Sequence, residues 1–288
     1  ISELEHIDWS LRIHNIAKTT YPYTDVICSS DLIYSLDQHK LVKTSICNRE
    51  SAYKKNLPLL EDSKVSTEFM PYRDVIIACY FSGLRDAQRN NQLLTPNLDD
   101  IRRLQESVQS KGVEFVLIHN CFDLPNLVEV PNTDSPYFER WIHEWSYLRD
   151  HRNIRNVFMV DACDVDMVND PFSHIRDGRL YIGDENSTLG SPWMLDKHKD
   201  RSVYEYICKH PDKRLLNCGV VGGNRKLVMD LCLEVYKYHI DHPYDWSDMG
   251  IFNYIMYNKY ADIMEYGRHV TSNFKGYDTV TGAWFRHK

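Results

Sequence analysis

Three carboxylates, Asp161, Asp164 and Asp166, follow directly on the apolar run Val157-Phe-Met-Val160. The run reads as a buried strand. Carboxylates this close repel one another, and their charge is costly at the rim of a core unless something positive sits between them. Hard divalent cations such as Mg2+ and Mn2+ prefer oxygen ligands and meet that need. In an open α/β sheet the carboxyl ends of the strands are where ligands bind. The segment therefore points to a metal beside a substrate that carries phosphate. The ordinary alternative is a solvated acidic loop. Spacing excludes a calcium loop of the EF-hand type: a start at Asp164 and Asp166 puts Val168 at the next ligand position and Asn169 where the turn glycine belongs.

Such a cluster needs elements to hold it. Val75-Ile-Ile-Ala-Cys79-Tyr-Phe81 reads as a first buried strand. Leu98 to Ser110 has helical spacing that Lys111-Gly112 ends, and Val113 to Ile118 reads as a second strand. Pro136 to His151 is a predicted helix with Tyr137, Trp141, Trp145 and Leu148 on one face, followed by the acid-tipped strand. Arg179 to Gly183 is a strand ending in Asp184-Glu185, and Cys218 to Gly223 is another. Helices are expected from Arg225 to about His239 and, after Trp246-Ser247-Asp248, on to Tyr257. Strands alternating with helices predict an α/β fold with a mixed, mostly parallel central sheet flanked by helices and a Rossmann-like nucleotide-binding half. Residues 1–71 are polar and irregular and read as a stem or extension, with the main domain at 72–288.

The chain has 288 residues, 43% of them hydrophobic, enough for one large domain with an extension. A net charge of −7 and a pI of about 6.0 argue against nucleic-acid binding through a basic surface. Nothing approaches the run of about 20 apolar residues that a membrane span needs. None of the eight cysteines forms a C-x-x-C pair, which argues against a zinc site. Cys79, Cys163 and Cys218 fall in or beside apolar runs and read as free, buried thiols. Cys28 and Cys47 are candidates for a disulfide. Together with the glycosylation tripeptide Asn186-Ser187-Thr188, they favour a Golgi or endoplasmic reticulum lumen, with the cytoplasm as the alternative. The chain starts at Ile1 rather than Met, which is expected of a trimmed or mature chain and leaves room for an upstream anchor.

In this order, Val157–Asp166, Asn217-Cys-Gly-Val-Val-Gly-Gly223, Asp248-Met-Gly-Ile-Phe-Asn253 and Trp284-Phe-Arg-His-Lys288 resemble the GT-A glycosyltransferases. These are nucleotide-sugar-dependent enzymes with an Asp-rich metal motif after a central strand. The resemblance covers about residues 72–288 and is distantly similar to glycogenin-like members. It implies Mn2+ or Mg2+ as cofactor, a UDP- or GDP-sugar as donor and a glycan or glycoprotein hydroxyl as acceptor. In such a reaction the metal acts as a Lewis acid on the departing diphosphate, and surrounding cations stabilise the charge that builds there.

The resemblance also assigns residues. Asp-x-Asp counted from Asp161 falls on Cys163, so two registers compete: Asp161 with Asp164, which is favoured because Asp161 closes the strand, or Asp164 with Asp166. Asp161 would contact ribose or metal-bound water as well. A C-terminal His on the metal and a nearby Lys on the phosphates match His287 and Lys288, with His269 as the other candidate His and Lys275 as a further phosphate ligand. Trp284 and Phe285 would pack the tail over the nucleotide. The base is expected near Cys79, Tyr80, Phe81 and Ser82, and Arg140 or Arg149 near the diphosphate or sugar. Asp184, Glu185, Asn217 and Trp246 would face donor sugar or acceptor, and Trp193 offers a second stacking ring. Asp248 would be the general base of an inverting reaction, or a sugar ligand in a retaining one. The nearest enzymatic alternative is a sugar nucleotidyltransferase. Ser82-Gly83-Leu-Arg85 supplies one glycine where that class has a glycine-rich basic loop. The alternative from another class is a catalytically inactive carbohydrate-binding domain.

Overall fold

The computed structural model describes residues 26–29, 32–37, 40–44, 71–86, 92–122, 127–130, 135–242, 247–272, 274–275 and 282–288. The chain divides into two compact units, Ile1–Phe69 and Met70–Lys288. In the first, β1 (Val26–Ser29), β2 (Leu32–Asp37) and β3 (Lys40–Thr44) form an antiparallel three-stranded sheet. The proposed partner of Cys28, Cys47, lies outside the described residues.

The second unit is α/β. Its elements run β4 (Arg73–Tyr80), a hairpin of β5 (Arg85–Asp86) and β6 (Gln92–Leu93), α1 (Asp99–Gln109), β7 (Glu114–His119), β8 (Val128–Glu129) and α2 (Pro136–Asp150). They continue through β9 (Ile154–Asp161), β10 (Val165–Met167), β11 (Leu180–Thr188), α3 (Pro192–Lys197), α4 (Arg201–Lys209), β12 (Arg214–Asn224), α5 (Arg225–Asp241), α6 (Met249–Lys259), β13 (Met264–Tyr266) and β14 (Phe285–His287). Seven strands make the central sheet in the order β13-β11-β12-β9-β4-β7-β8. Only β12 runs against the others: it pairs antiparallel with both β11 and β9, while every other neighbouring pair is parallel. No described helix is long and apolar enough to cross a membrane.

The period of the strands explains the layering. Successive side chains leave a strand on opposite faces. Val75 and Ile77 of β4, with Val157 and Met159 of β9, join the cluster under α2, α5 and α6, which also holds Trp141, Leu148, Val235 and Phe252. Ile76 and Ala78, with Phe158 and Val160, join the opposite cluster with Leu104 and Val108 of α1. Both faces are covered, so these strands read as continuous apolar runs. Each fully buried large side chain contributes about 1.5–3 kcal/mol by leaving water.

The C-terminal tail inserts into the second cluster. β14 pairs antiparallel with β10, placing Asp166 opposite Arg286 and Val165 opposite His287. Trp284 and Phe285 are buried, with ring centroids 6.0 and 5.0 Å from that of Phe158. They pack against Phe158 of β9 as core and do not lie over the cleft as the sequence suggested. Two rings of that size gain more by burial than by capping an open cleft.

Candidate active site

A cleft of about 810 Å3 opens along the carboxyl ends of β4 and β9 and the facing ends of β11 and β12. At its floor Asp161, Asp164 and His287 bring one ligand atom each to within 4.8 Å of one another. Asp161 is the last residue of β9, and the turn into β10 carries Asp164. His287 arrives from the other end of the chain because β14 is zipped onto β10. Its Nε2 lies 3.8 Å from Asp161 Oδ2 and 3.7 Å from Asp164 Oδ1. Ligands on one ion at about 2.1 Å stand about 3.0 Å apart when cis and about 4.2 Å when trans, so His287 is spaced to share one cation with either carboxylate.

Two further observations support that fit. His287 is buried, and its Nε2 has no hydrogen-bond partner. Burial lowers its pKa, with Asp161 pulling the other way, so the neutral ring with a free lone pair is favoured. Gly219 of β12 lies against the same atoms. A Cβ there would collide with the His287 ring and lie 2.5 Å from Asp161 Oδ2. The position needs glycine because the His287 and Asp161 side chains fill the space a methyl would take.

Asp166 is placed elsewhere. Arg103 of α1 approaches its Oδ2 at 2.5 Å, and Arg286 donates from Nη2 to the same atom at 2.6 Å. It anchors the tail strand and is not in the metal cluster. His269 is also outside the cluster, its ring edge-on to Trp284 at 5.5 Å.

Arg140 is the hub of the site. It donates from Nη1 to Asp161 Oδ1 at 2.7 Å, and from Nη2 to Asp248 Oδ2 at 2.8 Å and the Cys218 carbonyl at 3.2 Å. Trp141 Nε1 donates to the same Asp248 oxygen at 2.9 Å. Burial opposes the Arg140 charge, but Asp248, Cys218 and Asp161 raise its pKa well above the usual guanidinium value. Asp248, at the start of α6, makes no side-chain cap bond; Arg140 and Trp141 fix it in the cleft wall. Arg149 lies farther along α2, where it binds Asp150 and stacks on Trp145.

Sequence reasoning missed Glu144. It is buried on α2 one turn beyond Arg140 and accepts the Cys79 thiol at 3.6 Å. Burial pushes its pKa up to about 8, with Arg140 drawing it back. An available signal was the helical spacing Trp141, Glu144, Leu148, which puts a carboxyl on the apolar face.

The other expected residues divide. Tyr80 and Phe81 line the cleft with Asp86, Asp100 and Tyr137. The Tyr80 hydroxyl donates to Asp100 Oδ2 at 2.9 Å, and its ring stacks on Phe122. Ser82 is buried outside the cleft wall. Its N–H donates to Asn120 Oδ1 and its carbonyl accepts from Asn120 Nδ2, so its backbone is already engaged and is not free to read a base. Lys275 lines the cleft at a left-handed φ of 56° with its ammonium over the Phe274 ring. Lys288 contributes its backbone, donating to the Asp164 carbonyl at 2.9 Å, while its side chain is not part of the wall. Glu185 is in the wall and accepts from Asn217 Nδ2 at 2.8 Å. Burial raises the Glu185 pKa against Asn217 and Lys275. Asp184 alternates to the other side of β11, buried against Arg214 Nε at 2.7 Å, and does not face the cleft. Trp246 lies outside the described residues.

No protein-family model matches the chain, and no curated protein matches it. Among solved structures it is similar to a crystal structure described as a glycosyltransferase involved in the glycosylation of the major capsid of PBCV-1. The match is at 13% identity and a TM-score of 0.44, over 75% of this chain and 92% of that one. At that distance the likeness assigns no role to any residue.

Proposed function

We propose that the chain is a GT-A-type glycosyltransferase that moves a sugar from a nucleoside diphosphate sugar to a hydroxyl acceptor. The observation that carries this reading is the convergence of Asp161, Asp164 and His287 at the floor of a large cleft whose wall also holds Arg140 and Lys275. Asp161, Asp164 and His287 would hold a divalent cation; two carboxylates with one imidazole favour Mn2+ over Mg2+. When bound, that ion supplies Lewis-acid stabilisation of the diphosphate leaving group.

The chain's own residues do the rest. Arg140 and Lys275 place positive charge in the cleft wall, where phosphate charge would build. Tyr80, Phe81 and Tyr137 offer aromatic surface for the nucleoside at the β4 end. Glu185 and Asn217 offer hydrogen bonds to sugar hydroxyls. Asp248, held by Arg140 and Trp141, is oriented without a cap bond to compete for it, as a base or sugar ligand must be.

Hydrolysis of UDP- and GDP-sugars in Mn2+ and in EDTA tests the reading. Slow release of one nucleoside diphosphate that requires Mn2+ is expected. Metal-independent release, or none from any donor that binds, would contradict it and favour a carbohydrate-binding domain.

A further inference from the structure

The sheet order sets out the cleft as a line. From the nucleoside strand β4 it crosses β9 with the metal cluster, then β12 with Asn217, then β11 with Glu185. Neighbouring strands stand about 4.8 Å apart, so β11 lies about 14 Å from β4. Directly after β11 the wall continues through Ser191 and Pro192 to Trp193. Trp193 is thus on the far side of the metal from the nucleoside end.

The indole is 39% exposed, yet its mounting is rigid. Its ring meets that of His198 edge-on at 5.6 Å. His198 is fully buried beneath Gly250, where a Cβ would come within 2.5 Å of the imidazole. The turn before Trp193 is pinned to the segment before β12: Leu189 N–H donates to the Lys213 carbonyl and Gly190 N–H to the Pro211 carbonyl, both at 2.9 Å. Gly190 packs so close that a Cβ would lie 2.6 Å from Pro211 Cβ. An isolated exposed indole on a convex surface needs no explanation. This one is held in the wall of the same cleft that Glu185 lines.

We propose that Trp193 and Glu185 form the acceptor subsite, and that the acceptor is a saccharide. One sugar ring stacks its C–H face on the Trp193 indole and donates a hydroxyl hydrogen bond to Glu185, which Asn217 holds in place. A flat apolar face with polar groups at its edge is the surface a pyranose presents, and an aromatic platform flanked by hydrogen-bonding side chains complements it. A diphosphate clamped at Asp161, Asp164 and His287 puts the donor sugar between the metal and Glu185, which leaves Trp193 for the ring that receives it. The assignment rests on the transferase reading above.

The test is saturation-transfer NMR with a panel of methyl glycosides (gluco, galacto, manno, xylo) on protein loaded with Mn2+ and the nucleoside diphosphate. Wild type, Trp193→Ala, Trp193→Phe and Glu185→Gln are compared. Nucleotide binding is read separately from the melting temperature. At least one glycoside should bind wild type. It should bind Trp193→Ala and Glu185→Gln on the order of tenfold more weakly, and Trp193→Phe in between, while both Trp193 variants keep the nucleotide-dependent melting shift of wild type. Glycoside binding that is equal in wild type and Trp193→Ala would overturn the subsite, as would nucleotide binding with no glycoside bound by wild type. Loss of the nucleotide shift in Trp193→Ala would place the indole under the donor instead and overturn it too. Glycoside binding without any nucleotide binding in wild type would overturn the transferase reading and leave the sugar site standing.

Discussion

Gly219 shows how little room the cluster of Asp161, Asp164 and His287 leaves. Its missing side chain is the space that the His287 ring and the Asp161 carboxylate occupy. Gly219→Ala is expected to keep the fold at a cost of about 1–3 kcal/mol. It should weaken Mn2+ binding on the order of tenfold to a hundredfold, because ligand orientation is what it disturbs. Calorimetric Mn2+ titration beside a melting curve checks this; unchanged affinity would mean that Asp161 and His287 do not share an ion. At this scale the sequence was partly legible. Asp161 and Asp164 stood out because they end an apolar strand. The role of Asp166 stayed open because the partners that settle it are Arg103 and Arg286, the latter 120 positions away. Asp184 and Glu185 were indistinguishable as neighbours until the pleat of β11 sent one to Arg214 and the other to the cleft.

Helix α2 is the element that assembles the charges. It carries Arg140, Trp141 and Glu144 on adjoining turns, facing β4, β9 and α6. Its existence and apolar face were legible from period alone; that its Arg and Glu point inward was not, because a charged residue is by default expected to face water. Burial raises Glu144 from its ordinary value of 4.5 to about 8. Between those values the folded chain keeps a proton that the unfolded chain has lost. The stabilisation is therefore complete below about pH 4.5 and is lost as pH rises towards 8. Glu144→Gln removes the titration. Its gain over wild type should be smallest at pH 5 and grow by about 1.4 kcal/mol per pH unit until about pH 8, where it levels off, read from denaturant melts across that range. A gain independent of pH would show that Glu144 is ionised in the fold. The tail strand β14 is the element the sequence read least well. The resemblance puts His287 at the metal but implies that Trp284 and Phe285 cover the nucleotide. Pairing with β10 and burial against Phe158 make them the anchor that delivers His287.

Across the whole molecule, the alternation of strands and helices from residue 72 onward was enough to give the α/β class and its mostly parallel sheet. The reversal of β12 was not legible, because a strand buried on both faces carries no mark of its direction. That reversal matters: it brings Asn217 and Cys218, from the first half of β12, to the same end of the sheet as the carboxyl ends of β9 and β11. On the proposed reading, nucleoside, metal and sugar positions then follow one another across adjacent strands. The measurement that tests this arrangement most directly is a thermal-shift comparison of wild type and Asp164→Asn with UDP and GDP, each in Mn2+ and in EDTA. One nucleotide should raise the wild-type melting temperature only with Mn2+, and Asp164→Asn should melt normally alone but lose that shift. A shift that persists in EDTA, or that Asp164→Asn retains in full, would contradict a metal held by Asp161, Asp164 and His287.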